Sequence, residues 1–427
     1  MHFNIEFVNR DLNCKSVRDR NGDAESHDFM TDTILPSELV MAARVKCARF
    51  VPWWMSKRRW LVLRGSKSPI LSVYRQDPRR LENHAPVQML LLGKDTRMRV
   101  AGKKRLVLVS SRVRKDDTLS VEFDSSEQRQ VVYATLSQWV ALAVLLQRLT
   151  IHESMAKKPN STVYLCHDCY DPMNKFVLKR IHGSHGRTAL SRTTQIMALN
   201  REHYELGEYL AQYFYLYEDT KAECATVIMK YYSGGSLADR IRECGSLPEA
   251  LACRVLVLLC KALRVLHEHQ MLHLNIKASN IFFDDSPNGN FCNLKIVDFG
   301  NGTNVFDSDD IDDNWENIED VESYGYMTTT QYQDCCDPET DVYGAGIVLY
   351  HMLSGTVPFL DAELHLFLTR NVISELDFAG KVWQNVSPQM RSLTARMLDR
   401  NPVKRITLAE ILSLSWLSQE FESIHTV

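Results

Sequence analysis

His273-Leu-Asn-Ile-Lys-Ala-Ser-Asn280, with Asp298-Phe-Gly300 after it, is the stretch that decides the reading of this chain. It concentrates His, Lys, Asn and Asp between segments that are otherwise apolar. Before it, Ser246-Leu-Pro-Glu249 has the form of a capping box with Pro in the first turn, and it predicts an apolar helix running to about Glu268. After it, Asp341 to Ser354 reads as a buried helix stopped by Gly355, and Thr407-Leu-Ala-Glu410 is a second capping box. Further upstream lie three strand-like runs, Thr162 to Cys166, Lys175 to Lys179 and Ala225 to Met229. From about Ser161 onward, strands come first and long helices follow, which predicts a bilobal α+β domain.

In order and spacing these landmarks resemble eukaryotic protein kinases over residues 155–420. Phe176-Val-Leu-Lys179 matches the family's Val-Ala-Ile-Lys strand. Ile228-Met-Lys-Tyr-Tyr-Ser-Gly-Gly-Ser-Leu237 matches the hinge, and residues 273–280 overlay the catalytic loop His-Arg-Asp-Leu-Lys-x-x-Asn. Asp298-Phe-Gly300 matches the metal-binding triplet, Asp341-Val-Tyr-Gly the anchoring helix of the large lobe, and Leu398 to Thr407 the closing motif with Arg405 at its arginine. Each match alone is weak, but six in register are specific.

The resemblance implies ATP and Mg²⁺ as cofactors. Val163, Met229, Lys230 and Tyr232 fall at nucleotide-contacting positions, Lys179 at the lysine of the α- and β-phosphates, and Glu202 at its helical partner, with Glu205 and Glu208 as alternatives. Asn280 and Asp298 stand at the Mg²⁺ ligands, and Lys277 is the catalytic-loop lysine.

Four departures stand against that pattern. The three glycine positions of the phosphate loop fall on Ala156, Lys158 and Ser161, so the close backbone approach that glycine permits is missing. Asn275 occupies the catalytic-base position, and a carboxamide cannot take the hydroxyl proton; general-base help is typically worth ~10² to 10⁴-fold. Leu274 replaces the arginine that meets a phosphorylated activation segment. Thr330 replaces the glutamate that closes that segment, so Arg405 is expected to find another acid or to be solvated. The expected function is therefore a catalytically impaired homologue, a pseudokinase acting as a regulatory or scaffolding module. The alternatives are a weak or unconventional serine/threonine kinase and a phosphoinositide-binding membrane adaptor.

Ahead of this domain the pattern is different. Arg59 to Leu63, Ile70 to Tyr74, Val87 to Leu91, Arg105 to Val109 and Thr118 to Phe123 are short β-rich runs, and Gln138 to Gln147 predicts an apolar helix with Ser137 as its N-cap. A small β-barrel closed by a C-terminal helix is expected over residues 44–149, after a partly ordered arm at 1–43. The order is similar to a pleckstrin-homology domain, whose conserved helical Trp would be Trp139, a core residue. Lys57 and Arg59 stand where that family's phosphoinositide-binding members grip the headgroup, although Trp53-Trp-Met-Ser56 fills the place of the additional lysine. A basic surface facing an acidic protein, or solvated charge, remains open for this pair.

Charge supports two domains. The net charge of −3 hides an asymmetry: 22 Lys and Arg stand against 8 Asp and Glu from Arg44 to Leu149, and 24 against 37 from Thr150 to Val427, with 4 against 8 in residues 1–43. Asp307 to Glu322 holds nine acids and no base, which predicts either a self-repelling loop or a strip that docks on the basic domain of the same chain. Protein partners are expected, as is contact with a phosphoinositide-bearing membrane; nucleic acid is not. Eleven cysteines without framework spacing predict reduced thiols, and Cys166-x-x-Cys169 reads as strand cysteines rather than a zinc pair. No signal peptide or membrane-spanning run is evident, so a cytoplasmic protein, peripheral at a membrane, is expected.

Overall fold

The computed structural model describes residues 6–7, 34–35, 38–46, 57–64, 70–75, 86, 88–93, 96–110, 117–158, 160–182, 192–197, 199–200, 203–219, 224–284, 291, 293–299, 303–304, 325–326, 328, 336–359 and 375–423. They form two compact units, residues 1–194 with 213–230 and residues 195–212 with 231–427.

The first unit opens with seven antiparallel strands: β1 (Glu38–Lys46), β2 (Lys57–Arg64), β3 (Ile70–Tyr74), β4 (Gln88–Leu91), β5 (Arg97–Val100), β6 (Arg105–Ser110) and β7 (Asp117–Glu122). Their order in the sheet is β4-β3-β2-β1-β7-β6-β5. Alternation places Leu61, Leu63, Leu71, Val73, Leu106, Leu108, Leu119 and Val121 in one core. β1 starts at Glu38, inside the segment read as an arm, and β5 has no counterpart among the predicted strands.

Helix α1 (Ser126–Arg148) closes this sheet and is far longer than its apolar run suggests. Its N-cap is Ser125, whose hydroxyl accepts from the Gln128 N–H at 3.2 Å. Ser137, expected to be that cap, instead lies mid-helix and donates back to the Tyr133 carbonyl at 2.7 Å. On length and composition α1 is apolar enough to cross a membrane, but its Val132, Leu136, Trp139, Leu142 and Ala143 face is buried against strands.

No linker follows α1. Leu149, its C-cap, is the first residue of β8 (Leu149–Lys158), which begins a second sheet with β9 (Ser161–Asp168), β10 (Lys175–His182), β11 (Tyr213–Asp219) and β12 (Cys224–Lys230). The order is β8-β9-β10-β12-β11, and Ile34–Leu35 pairs parallel to β11 at the far edge. Cys166, Phe176, Leu178, Tyr215, Tyr217 and Ile228 of this sheet join the same apolar core as the seven-stranded sheet. Trp139, fully buried, meets the Tyr217 ring edge-on with centroids 6.1 Å apart. At the junction Arg148 forms an ion pair with the buried Asp168, its Nε 3.1 Å from Oδ1.

The second unit is mainly helical. It comprises α2 (Leu237–Cys244), α3 (Glu249–Glu268), the hairpin of β13 (Ile281–Phe283) and β14 (Leu294–Ile296), then α4 (Pro338–Ser354), α5 (Pro388–Met397), α6 (Leu408–Leu412) and α7 (Ser415–Ser423). α4 ends as expected on Gly355 in the left-handed conformation, and Thr407 and Glu410 form the expected capping box at α6. The capping box expected at Ser246–Glu249 is absent. Pro248 is the N-cap of α3, and the Glu249 carboxylate accepts instead from the N–H of Ser387, 2.7 Å away, which ties the start of α3 to the start of α5.

Candidate functional site

The first unit carries a sheet of paired strands. In register, Val163 of β9 opposes Lys179 of β10, which opposes Val227 of β12, and Val177 opposes Met229. Alternation therefore puts Val163, Lys179 and Val227 on one face, while Phe176 and Leu178 on the other face enter the core shared with Trp139. Three of the expected nucleotide contacts, Val163, Lys179 and Met229, are thus brought together. Lys230 ends β12, partly buried.

The phosphate loop is changed in more than its glycines. Ala156 pairs with Val163, Lys157 with Thr162, and Lys158 with Ser161, so all three expected glycine positions lie on paired strands. Only Pro159 and Asn160 join them. The Asn160 carbonyl accepts from the His182 N–H at 2.7 Å, and Pro159 has no N–H to offer. A turn this short holds no run of free amides to wrap a phosphate.

The second unit supplies the polar loop. Asp341, from the first turn of α4, is 1% exposed; its Oδ2 accepts from the His273 N–H at 2.9 Å and its Oδ1 from the Leu274 N–H at 2.8 Å. His267 at the end of α3 places Nε2 2.9 Å from the same carboxylate. Burial alone would raise the Asp341 carboxyl, but the His267 bond, His273 and the amides hold it below the ordinary value. These bonds keep Leu274 in the left-handed region, at φ 56°. The His273 ring, driven below its usual pKa by burial, sits 3.2 Å from the Val297 carbonyl and packs on Phe299 at 4.6 Å.

This scaffold presents the candidate ligands. Asn280, 6% exposed, donates from Nδ2 to the Asn275 carbonyl at 2.9 Å, which turns its amide oxygen away from that bond. The Val297 N–H donates to the Asn280 carbonyl at 3.0 Å, so Asp298, at φ 66°, follows directly from the same loop. Asn280 and Asp298 thus offer oxygen donors of the kind that Mg²⁺ prefers. Asn275 stands part-exposed at the loop's centre, and Lys277 is buried at 3% exposure, with further interactions of its own.

Three expectations are corrected or left aside. The Tyr232 side chain is turned into the fold: it is 4% exposed, its hydroxyl accepts from the Gln212 N–H at 2.8 Å, and burial pushes its pKa up to about 12. Among the described residues Arg405 forms no ion pair and is buried from solvent, with the charges of Asp337, Glu339 and Asp399 near enough to favour its cation. At 3% exposure it donates from Nε to the Asp399 carbonyl at 2.9 Å and from Nη1 to the Glu339 carbonyl at 2.6 Å, and it lies 5.0 Å over the Tyr343 ring. Backbone carbonyls and an aromatic face take the place of the missing glutamate. Glu202, Thr330 and Asp307 to Glu322 lie outside the described residues. Of the alternatives to Glu202, Glu208 is exposed at the end of a 3-10 turn. His267 was not singled out in the sequence; its only signal is a titratable residue in the last turn of an apolar helix.

Comparison with known proteins agrees with this arrangement. The family model for the protein kinase domain matches residues 159–417. Similar proteins include calcium-dependent protein kinase 24 of Arabidopsis thaliana, 29% identical over 59% of this chain and 42% of its own length. Calcium-dependent protein kinase SK5 of Glycine max is 31% identical over 47% of the chain and 38% of its own length. Calcium-dependent protein kinase 12 of Oryza sativa subsp. japonica is 29% identical over 60% and 46%. The chain spans less than half the length of these relatives. With the family matched over most of its length, this chain belongs to the protein kinases.

Proposed function

We propose that this protein is a pseudokinase, a kinase fold retained as a regulatory or scaffolding module that still takes ATP with Mg²⁺ but transfers phosphate poorly. The observation that carries the reading is Asn275, set in a catalytic loop whose supporting bonds from Asp341, His267 and Asn280 are all in place. The loop has kept its shape and lost its base, and without a carboxylate the substrate hydroxyl keeps its proton. The short Lys158–Ser161 turn supports the same reading, because it removes the amide cradle.

Bound Mg²⁺ would neutralise phosphate charge. Of the chain's own groups, Asn280 and Asp298 would hold the ion, Lys179 the α- and β-phosphates, and Val163 and Met229 the base. Retention of these groups is the specific support for a second reading, a weak serine/threonine kinase working by positioning alone.

The barrel we read as a pleckstrin-homology-like targeting domain for a membrane or an acidic protein. Support comes from its strand order, the closing helix with Trp139, and Lys57 and Arg59 at the start of β2. The acidic segment Asp307 to Glu322 is its proposed intramolecular partner, through charge complementarity alone. A cytoplasmic location, peripheral at a membrane, goes with this reading.

The test is thermal shift with ATP, with and without Mg²⁺, followed by radiolabelled phosphate transfer to generic protein substrates. A Mg²⁺-dependent shift with no transfer is expected. Transfer that Lys179→Ala abolishes would sink the pseudokinase reading in favour of the weak kinase.

A further inference from the structure

The hairpin of β5 and β6 carries a surface that neither the nucleotide site nor the cations of β2 explain. From Arg97 to Lys115 the sequence holds eight Lys and Arg and no Asp or Glu. Alternation sets out the described part of it. Met98 and Val100 oppose the fully buried Leu108 and Leu106, so Arg97 and Arg99, opposite Val109 and Val107, lie on the outward face. β5 is the last strand of its sheet. At the tip the Ala101 N–H donates to the Arg105 carbonyl at 2.9 Å, and Gly102 turns at φ 81° with open space around it, leaving Lys103 projecting.

Arg97, Arg99 and Lys103 are exposed, and among the described residues none has an acidic partner. Lys104 differs, because its Nζ donates to the Asp124 carbonyl at 2.6 Å. On the same face, opposite Arg97, Val109 is 36% exposed.

We propose that this outward face of β5 and β6 rests on an anionic lipid bilayer, as a binding surface separate from Lys57 and Arg59. Three unpaired cations spread over a sheet face match a plane of headgroups better than one cupped phosphate. The exposed Val109 beside them suits the headgroup boundary, where an apolar side chain is buried and the cations stay hydrated. A soluble acidic chain would gain little here, since exposed one-to-one ion pairs are weak, whereas a bilayer engages all three cations at once. The proposal rests on the targeting reading of the barrel and assigns the surface that does the work. Because the barrel and the β8–β12 sheet share one core, the Lys179 strand would be held at a fixed attitude to the membrane.

The experiment is sedimentation of the full chain with three kinds of vesicle: phosphatidylcholine alone, with phosphatidylserine, and with phosphoinositide. Variants are Arg97→Ala/Arg99→Ala/Lys103→Ala and, separately, Lys57→Ala/Arg59→Ala. Arg97, Arg99 and Lys103 are exposed, and an unchanged thermal midpoint establishes that each variant is folded. Partition on phosphatidylserine vesicles should fall roughly 100-fold in the triple variant, at about fivefold per cation, and should weaken with salt. Any extra affinity for phosphoinositide should be lost only in the double variant. Wild-type partition by the triple variant, equal partition on phosphatidylcholine alone, or binding to polyglutamate without binding to vesicles would each overturn the proposal. Loss on both anionic vesicles in the double variant alone would overturn it too, while leaving the targeting reading intact.

Discussion

Gly344 is glycine because Ile276 occupies the space its side chain would need. A Cβ there would meet the Ile276 Cβ at 3.1 Å and the Ile276 carbonyl oxygen at 3.2 Å, between Asn275 and Lys277. Neither neighbour is the free end of a flexible chain, so Gly344→Ala should push the loop away from α4. The expected cost is ~1–3 kcal/mol, read as a lower urea midpoint at unchanged slope. A second residue makes the fold sensitive to acid. His351 places Nδ1 2.7 Å from the Tyr326 hydroxyl, and burial lowers its pKa from 6.5 to about 4. The unfolded chain therefore takes up a proton that the folded chain refuses. That contribution to stability is complete above about pH 6.5 and is lost as pH falls toward 4. Thermal midpoints measured between pH 7 and 4 should fall less steeply in His351→Asn than in wild type; parallel slopes would place the acid sensitivity elsewhere.

Elements show what the sequence made legible and what it hid. α4, α6 and the central strands of both sheets carry their own signals: a capping box, a terminal glycine, or β-branched runs of period two. α1 was read twelve residues late because its first half, Glu127 to Ser137, is polar and mixed, and its cap is declared only by the Ser125–Gln128 bond. β8 was missed because Leu149 to Lys158 is an edge strand with almost every side chain exposed, so no alternation marks it. In the site, Lys179, Asn275, Asn280 and Asp298 were legible through register with a known family. The two-residue turn at Pro159–Asn160 was not, since only strand pairing reveals that the loop is short as well as glycine-poor. The two serines separate the readings of α1. Ser125→Ala should cost about 0.5–2 kcal/mol, whereas Ser137→Ala should be neutral or slightly stabilising, because a mid-helix serine bonding its own backbone adds little. Chemical denaturation of both variants checks this, and a larger loss at Ser137 would contradict the observed cap.

At the scale of the molecule, the β1–β7 sheet with its helix, proposed above as a barrel, and the β8–β12 sheet have the sequence marks of two domains and the packing of one. Their charge, their patterns and their family resemblances differ, yet α1 runs into β8 without a linker, and Trp139 sits between barrel leucines and Tyr217. The face of the sheet opposite Lys179 is covered by α1, so removing the barrel would expose Phe176, Leu178, Tyr215 and Ile228 to water. Such a shared core should open as a single cooperative unit. Leu63 offers a clean probe, since it is fully buried on β2 and belongs to the barrel's side of the core. Leu63→Ala should destabilise by ~2–5 kcal/mol through the cavity it leaves. In native-state hydrogen exchange on the full chain, the amides of Lys175–His182 should lose protection together with those of β2 and β6. If the barrel strands alone exchange faster while β10 keeps its protection, the two are separate folding units that merely touch. Trp139→Ala then predicts the complementary result: it removes the ring that joins them and should lower protection on both sides at once.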